Sequence, residues 1–267
     1  MNIAKTKLAA VLALGAISVP QAAFAQVTHT WGVYNTFNSS ASNAPTMAKP
    51  WIYGQRASAG CGGATSPLAY SYSGPSGSGF TGWQGVNTPT IVPLIGRNPN
   101  ATTTVYSTAQ VPANSVWLHP GETGVNPVCA TVRFKAPMTG RFRVKGFFRS
   151  IDTGANKVNA YIIPSSGPVI GPIAISGPMG TQVNFDHVFT LMGNPRYIDF
   201  AIDDGGSYYN DSTQLSLTVV RCPPKGKDGK DGKGGEAGMG DAAGPGRIPI
   251  NGNGPVKDGC MIGDGPR

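Results

Sequence analysis

The chain has 267 residues and a formal net charge of +8, yet only 13% of its residues are charged, while glycine and proline number 38 and 23. Long amphipathic helices need many good helix formers, so this composition argues against a helical bundle and favours short strands joined by turns. The length suits one large all-β domain or two small ones.

Residues 1–25 predict a secretory signal peptide. Lys5 and Lys7 form a basic start, residues 8–19 form an apolar run, and Ala-Phe-Ala at 23–25 is a small-x-small cleavage site. The apolar run is shorter than the roughly 20 residues of a membrane span, and no later stretch is longer. We therefore expect a secreted, periplasmic or extracellular protein with no membrane span after signal cleavage.

The segment 26–222 predicts one folded domain built of short strands. Apolar and polar residues alternate with a period of two in several segments, which is typical of half-buried β-strands. In chain order these segments are residues 27–37, 51–54, 90–98, 102–108, 116–122, 128–137, 140–152, 156–164, 183–192 and the hairpin 197–220. Roughly eight to ten strands at this spacing predict an all-β antiparallel sandwich of the jelly-roll type.

Residues 55–90 are rich in Gly, Ser and Pro and predict a long loop or a pair of short strands. Loops of this length are often functional or mobile. Sugar-binding sites stack aromatic rings on apolar sugar faces, so an exposed ring in this segment is a candidate binding residue. Trp83, in TGWQG, is the best candidate, whereas Trp51 and Trp117 are expected to pack in the core.

Basic residues cluster in residues 133–149, where they alternate with Phe and Val. The alternation predicts that they lie on the outer face of two strands. We interpret this as a solvated basic face that meets an anionic polysaccharide or an envelope component. Nucleic acid is not an expected partner of an exported protein.

The loop between the last two predicted strands is rich in acids. Calcium takes about six to eight oxygen ligands, which makes Asp203, Asp204 and Asp211 candidate ligands of a structural calcium ion, with Asp152 approaching from another strand end. The alternative is an ordinary turn in which these side chains bond the backbone or face water. The sequence leaves both interpretations open.

Side chains at the tip of the same loop are candidates for ligand binding. Tyr208, Tyr209 and Asn210 combine aromatic rings with an amide, and together with Trp83 they are the predicted ligand-binding residues. We assign no catalytic residue, because glycoside hydrolysis needs two paired carboxylates and the domain shows no such pair. A G-x-S-x-G motif is also absent from the sequence.

Four cysteines follow the predicted cleavage site: Cys61, Cys129, Cys222 and Cys260. Export favours disulfides, and no C-x-x-C spacing indicates zinc. Four cysteines allow three pairings, which the sequence does not distinguish. We expect two of the first three to pair within the domain, and the remaining one to meet Cys260 or a partner chain.

Residues 223–267 form a glycine-rich tail of low complexity. Glycine stands at 226, 229, 232, 235, 238 and 244, in a register of three that Asp241 interrupts. A collagen triple helix needs glycine at every third position, so the tract is a candidate for homotrimer formation. The alternative is a disordered, charged tail.

Several short patterns in a consistent order resemble a jelly-roll domain of exported bacterial proteins, many of which carry a C-terminal anchor of the PEP-CTERM type. They are WIYG at 51–54, VWLHPG at 116–121, VRFKAP at 132–137, GRFRVKGFFRSID at 140–152 and IDFAIDDGGSYYNDST at 198–213. The resemblance covers most of residues 27–220. It implies a sandwich similar to carbohydrate-binding modules, an extracellular or envelope role and no established catalytic residue. This chain lacks the PEP motif and the apolar anchor helix.

The sequence thus predicts an exported, non-catalytic protein that binds carbohydrate or a cell-surface component. The alternative is a structural or assembly protein that trimerises through its tail.

Overall fold

The computed structural model describes residues 29–39, 43–57, 59–85, 93–121, 129–154, 156–207, 209–223 and Cys260. The predicted signal peptide and the glycine-triplet tract lie outside this described part. The strands are β1 (Thr30–Gly32), β2 (Trp51–Arg56), β3 (Thr65–Pro67), β4 (Tyr70–Ser73), β5 (Thr81–Gln84), β6 (Leu94–Asn98), β7 (Thr104–Tyr106), β8 (Ala109–Val111), β9 (Ser115–His119), β10 (Cys129–Lys135), β11 (Gly140–Ser150), β12 (Asn156–Pro164), β13 (Ile170–Gly177), β14 (Gln182–Leu191), β15 (Tyr197–Ile202) and β16 (Thr213–Arg221).

Two antiparallel sheets form the sandwich. The larger sheet has the order β14-β11-β16-β9-β6-β5-β4, with β1 also paired to β16. The smaller sheet has the order β13-β12-β15-β10-β2-β3, and β7 pairs with β8 as a separate hairpin. Sequence neighbours β10 and β11 lie in different sheets, as the crossovers of a sandwich require. The predicted all-β antiparallel sandwich is confirmed.

The core lies between the two sheets and follows from the period of two. In β10, the side chains of Val132 and Phe134 are fully buried, and in β11 those of Phe142 and Phe148 meet the same core. The rings of Phe134 and Phe142 are 5.7 Å apart, so the two sheets touch directly there. Alternate positions of the same strands are left to face outwards.

A second, smaller apolar cluster lies where the β7–β8 hairpin packs on the larger sheet. Trp117 of β9 is fully buried in it, against Phe80 and Val111. Trp51 is fully buried in the main core, so the prediction that Trp51 and Trp117 serve packing is confirmed. Among the described residues, no helix is long and apolar enough to cross a membrane.

The sequence missed β13, which forms one edge of the smaller sheet. Its residues IGPIAISG contain Gly171 and Pro172, which read as a loop because proline cannot donate to a central ladder. At an edge this restriction is lifted, since one side of the strand has no partner. The segment 102–108, predicted as one strand, is instead β7 followed by a turn at 107–108 that leads into β8.

A buried ion pair organises the outer face of the smaller sheet. Asp199 of β15 is fully buried and accepts hydrogen bonds from Arg133 Nε at 2.7 Å and Arg133 Nη2 at 2.9 Å. Arg56 Nη1 also donates to its carboxylate, and the Thr65 hydroxyl donates at 2.8 Å. Strands β2, β3, β10 and β15 are thus tied together through one carboxylate.

We expect Asp199→Asn to lower the free energy of unfolding by about 3–5 kcal/mol, because it leaves the Arg56 guanidinium buried without a counter-charge. Urea denaturation measures this loss. The matched control is Asp186→Asn, which removes the more exposed carboxylate that pairs with Arg143 and should cost about 0–1 kcal/mol. Equal losses in the two variants would contradict the assignment.

Candidate functional site

The outer face of the larger sheet carries a patch centred on Phe147 of β11. The outward positions of β11 are Arg141, Arg143, Lys145, Phe147 and Arg149, while its alternate positions face the core. Gly146 lies on the inward side, opposite Phe185, where an added Cβ would come within 2.8 Å of the Phe185 ring. Phe147 is the one aromatic residue in the outward register of this strand.

The residues opposite Phe147 on the two neighbouring strands are polar. Strand register pairs Phe147 with Asn184 of β14 and with Ser216 of β16. Two residues further along β11, Arg149 is paired with Gln182 and Gln214. A half-buried ring is thereby set among amide, hydroxyl and guanidinium groups. We call Lys145, Phe147, Arg149, Gln182, Asn184 and Ser216 the Phe147 face.

Hydrogen bonds fix the side chains around the ring. The guanidinium carbon of Arg149 lies 4.7 Å from the centroid of the Phe147 ring, a stacked cation–π arrangement. Arg149 Nε donates to Gln182 Oε1 at 2.8 Å, and Gln182 Nε2 donates to Asn184 Oδ1 at 2.7 Å. The polar groups therefore keep defined positions beside the ring, as a binding surface requires.

Near the N-terminal end of β11, the outward side chain of Arg143 contacts other parts of the chain. Arg143 binds Asp186 through Nε and Nη2 at 2.7 and 2.6 Å, and its Nη1 donates to the carbonyl oxygen of Cys260 at 2.8 Å. Cys260 forms a disulfide with Cys222 at the end of β16. The Phe147 face therefore occupies the C-terminal part of β11, from Lys145 to Arg149, away from this disulfide.

The disulfides agree with the sequence prediction. Cys61 pairs with Cys129, so two of the first three cysteines pair within the domain, and the remaining Cys222 meets Cys260. Their Cα atoms are 5.7 and 4.8 Å apart. The first bridge fixes the 59–61 turn to β10 on the outer side of the smaller sheet, next to Tyr161.

The expectation that Trp83 offers an exposed ring is wrong. Its side chain is 3% exposed, and its Nε1 donates to the carbonyl oxygen of Asn38 at 2.8 Å. Alternation explains the burial, because Trp83 stands opposite Ile95 on the inward side of β5 and β6. The aromatic side chain on the outer face of β11 is the half-buried Phe147, and the outward register of GRFRVKGFFRS is the sequence signal that indicates it.

Of the predicted ligand-binding residues in the 203–212 loop, the structure describes Tyr209 and Asn210. Tyr209 is 65% exposed, so its predicted role in ligand binding stays a prediction, and Tyr208 lies outside the described residues. Asn210 has a φ of +64° and packs its amide against Gly154, where an added Cβ would lie 2.4 Å from Nδ2. Asn210 therefore shapes the turn.

The three predicted calcium ligands differ in how many hydrogen bonds their carboxylate oxygens accept from the protein. Asp203 Oδ1 accepts from the backbone amides of Asn159 and Gly205 at 3.1 and 3.0 Å, and Oδ2 accepts from the Tyr161 hydroxyl at 2.9 Å. Asp204 accepts from the Gly206 amide at 3.2 Å, and its Oδ2 is buried without a partner among the residues that the structure describes. Asp203 thus behaves as the turn residue of the alternative interpretation.

Asp211 is the unusual member of this acidic group. Its side chain is fully buried, and within the described residues neither carboxylate oxygen has a hydrogen-bond partner of good geometry. Burial, reinforced by the nearby charges of Asp204, Asp152 and Asp203, raises the pKa of Asp211 to about 8, although the Lys157 backbone amide lowers it. Its carboxyl group therefore holds a proton at neutral pH when no cation is bound.

Asp152 completes the group from the end of β11, as the sequence suggested. It is buried and accepts from the Thr108 hydroxyl at 2.7 Å and from the Ser212 amide at 2.5 Å. Within the ranges that the structure describes, no three His, Cys, Asp or Glu side chains are arranged as a metal-binding group. A calcium ion here would therefore need further oxygens from the backbone or from water.

Comparisons with known proteins find solved structures of low similarity to this chain. No family model and no curated protein matches it. One similar structure is a carbohydrate-binding module with specific mannan recognition, at 8% identity over 69% of this chain and 95% of that one, with a TM-score of 0.29. Another is a module from Cellvibrio mixtus lichenase 5A in complex with cellotriose, at 15% identity over 54% and 88%, with a TM-score of 0.20.

A larger similar protein is the isomalto-dextranase of Arthrobacter globiformis T6 complexed with panose. It is 13% identical over 73% of this chain, with a TM-score of 0.27. The present chain spans 32% of that enzyme's length. Likenesses at these TM-scores do not define a site, so the function rests on the contacts described above.

We expect Asp211→Asn to flatten the dependence of stability on pH. Because the folded pKa of about 8 lies above the ordinary value of 3.8, the folded protein retains a proton that the unfolded chain releases. The contribution of the Asp211 proton to the free energy of unfolding is therefore fully present below about pH 4, and it is lost as the pH rises to about 8. Asparagine mimics the protonated acid, so calorimetry should show matching midpoints at pH 4 and a higher midpoint for the variant at pH 8. Parallel curves for the two proteins would refute this.

Proposed function

We propose that this chain is an exported, non-catalytic protein that binds carbohydrate on the Phe147 face. The supporting observation is a half-buried aromatic ring held among guanidinium, amide and hydroxyl groups on an open sheet. A pyranose presents an apolar face of C–H groups and a rim of hydroxyls, so a ring flanked by hydrogen-bonding groups matches both surfaces. Export is supported by the predicted signal peptide and by two disulfides, which persist in oxidising compartments.

The acids near the Phe147 face favour binding over hydrolysis. A glycosidase needs a second carboxylate beside the scissile bond, either as nucleophile or as base. On β11, β14 and β16 the outward acid is Asp186, and both of its oxygens are bound by Arg143. The face therefore holds a sugar without offering a free pair of carboxylates.

The assembly alternative, a homotrimer formed through the glycine-triplet tract, stays a prediction, because that tract lies outside the described residues. The Cys222–Cys260 disulfide holds the Cα atoms of the two cysteines that flank the tract 4.8 Å apart.

A structural calcium ion is a second proposal, supported by the oxygens of Asp211 and Asp204 that lack partners. Calcium would compete with the proton on Asp211, since a cation stabilises the ionised carboxylate. The same two side chains would hold the ion, and it would supply charge neutralisation and a fixed loop geometry rather than chemistry. The proton and the ion are alternative ways of neutralising one buried acid.

The Phe147→Ala variant should bind soluble polysaccharides at least tenfold more weakly, because the stacking surface is lost. Isothermal titration against a panel of neutral and acidic polysaccharides measures this. The matched control is Tyr209→Ala, which removes the exposed ring of the loop and should leave affinity unchanged. A loss of binding in Tyr209→Ala alone would move the site to the loop, and no binding by the unaltered protein to any panel member would refute the proposed function.

If calcium binds, millimolar CaCl2 should raise the thermal midpoint at pH 8 relative to EDTA, and the rise should disappear in Asp211→Asn. At pH 5 the effect should shrink, because protons then occupy the acid. The control is MgCl2, which demands a tighter octahedral shell and should have less effect. A midpoint unchanged by calcium at pH 8 would leave the proton as the neutralising partner.

A further inference from the structure

Resting on the carbohydrate-binding function proposed above, we propose that the Phe147 face selects acidic glycans, and that it binds the carboxylate of a uronic acid residue beside the ring. The proposal derives from the hydrogen-bonding polarity of the groups around Phe147. It also derives from the sign of the charge on this face. Both properties follow from side chains that the structure describes.

The hydrogen-bond chain beside the ring has a fixed direction. Arg149 carries only donors, so the oxygen of the Gln182 amide must face it, and the Gln182 nitrogen must then face outwards along β14. That nitrogen donates to Asn184 Oδ1, which settles the orientation of the second amide as well. Arg149 thereby determines the polarity of both amides.

This chain of bonds uses the amide acceptors and leaves donors. Gln182 Oε1 receives Nε and Nη2 of Arg149, and Asn184 Oδ1 receives the Gln182 amide. What remains towards a ligand is the Asn184 Nδ2 group, the second hydrogen of Gln182 Nε2, the unused Arg149 hydrogens, the exposed Lys145 ammonium and the Ser216 hydroxyl. Of these groups, only the hydroxyl can also accept. A neutral sugar hydroxyl both donates and accepts, whereas a carboxylate only accepts. A perimeter rich in donors therefore matches a carboxylate better.

The charge on the face points the same way. The outward cations of β11 are Arg141, Arg143, Lys145 and Arg149, against the single acid Asp186 on the facing strands. Lys145 and Arg149 stand two residues either side of Phe147, about 7 Å along the strand in each direction. Two cations thus bracket the stacking ring. Asp186 stands opposite Lys145 but is bound by Arg143, whereas the residues opposite Arg149 are the neutral Gln182 and Gln214.

An anionic lipid surface fits this face less well than a polysaccharide. Membrane-surface binding combines basic residues with apolar side chains that insert between headgroups. The large apolar side chains that are well exposed within the described ranges all lie outside β11, β14 and β16: Met47, Tyr70, Val105, Val169, Met179, Met192 and Tyr209. Phe147 is half-buried, with Arg149 over one face of its ring, so it is not a side chain that inserts between headgroups.

The test compares polygalacturonate with its methyl ester, which has the same backbone without the charge. Isothermal titration should show at least tenfold tighter binding of the acid, with a preference that weakens as salt rises. Arg149→Gln should reduce this preference to less than threefold, because it weakens binding of the acid more than binding of the ester. Phe147→Ala should weaken both ligands, and the control Lys135→Gln, on the outer face of the other sheet, should change neither.

Each contrary result has a separate meaning. Equal binding of acid and ester would overturn the acidic preference while leaving carbohydrate binding intact. Binding of neither ligand, nor of any neutral polysaccharide, would overturn the proposed function itself. Dextran sulfate bound as tightly as polygalacturonate, or vesicles with anionic phospholipid bound in its place, would overturn selection of a carboxylate. Lys145→Gln, which removes an exposed cation, supplies a second variant should Arg149→Gln fail to fold by circular dichroism.

Discussion

The two-residue alternation along β11 is the constraint on which both the core and the candidate site depend. Its inward residues, including Phe142 and Phe148, meet the opposite sheet, and its outward residues form the basic face around Phe147. A shift of one residue in register would exchange these sets, burying arginines and exposing phenylalanines. Long ladders to β14 and β16 on either side fix the register, so the core that stabilises the fold also places the binding groups.

Two buried carboxyl groups of the sandwich, those of Asp199 and Asp211, are neutralised in different ways. Asp199 is ionically paired with two arginines and fastens four strands of the smaller sheet. Asp211 has no such cation, and its burial among other acids raises its pKa so that a proton or a cation must neutralise it. The first arrangement joins strands through paired charges, whereas the second makes the stability of one end of the sandwich depend on pH.

Sequence reasoning was accurate where the local pattern is strong and failed where tertiary position decides. The long alternating segments predicted most of the strands. Both disulfides agree with the expectation that two of the first three cysteines pair and that the remaining one meets Cys260 or a partner chain. It missed β13, because a strand at a sheet edge tolerates the Gly-Pro pair that a central strand would not. It misplaced Trp83, because a glycine-rich surrounding suggested a loop although β5 pairs with β6 and turns the indole inwards.

By itself, the sequence determined the all-β class, the antiparallel strands and the basic outer face of residues 140–152, and its first 25 residues predict export. These depend on periodicity and composition, which are local properties. The tertiary structure decided which side chains meet: Asn184 and Ser216 beside Phe147, Arg56 on Asp199, and Asp152 near Asp211. Strand register and sheet order set these contacts between distant segments, and neither is encoded in the local spacing of residues.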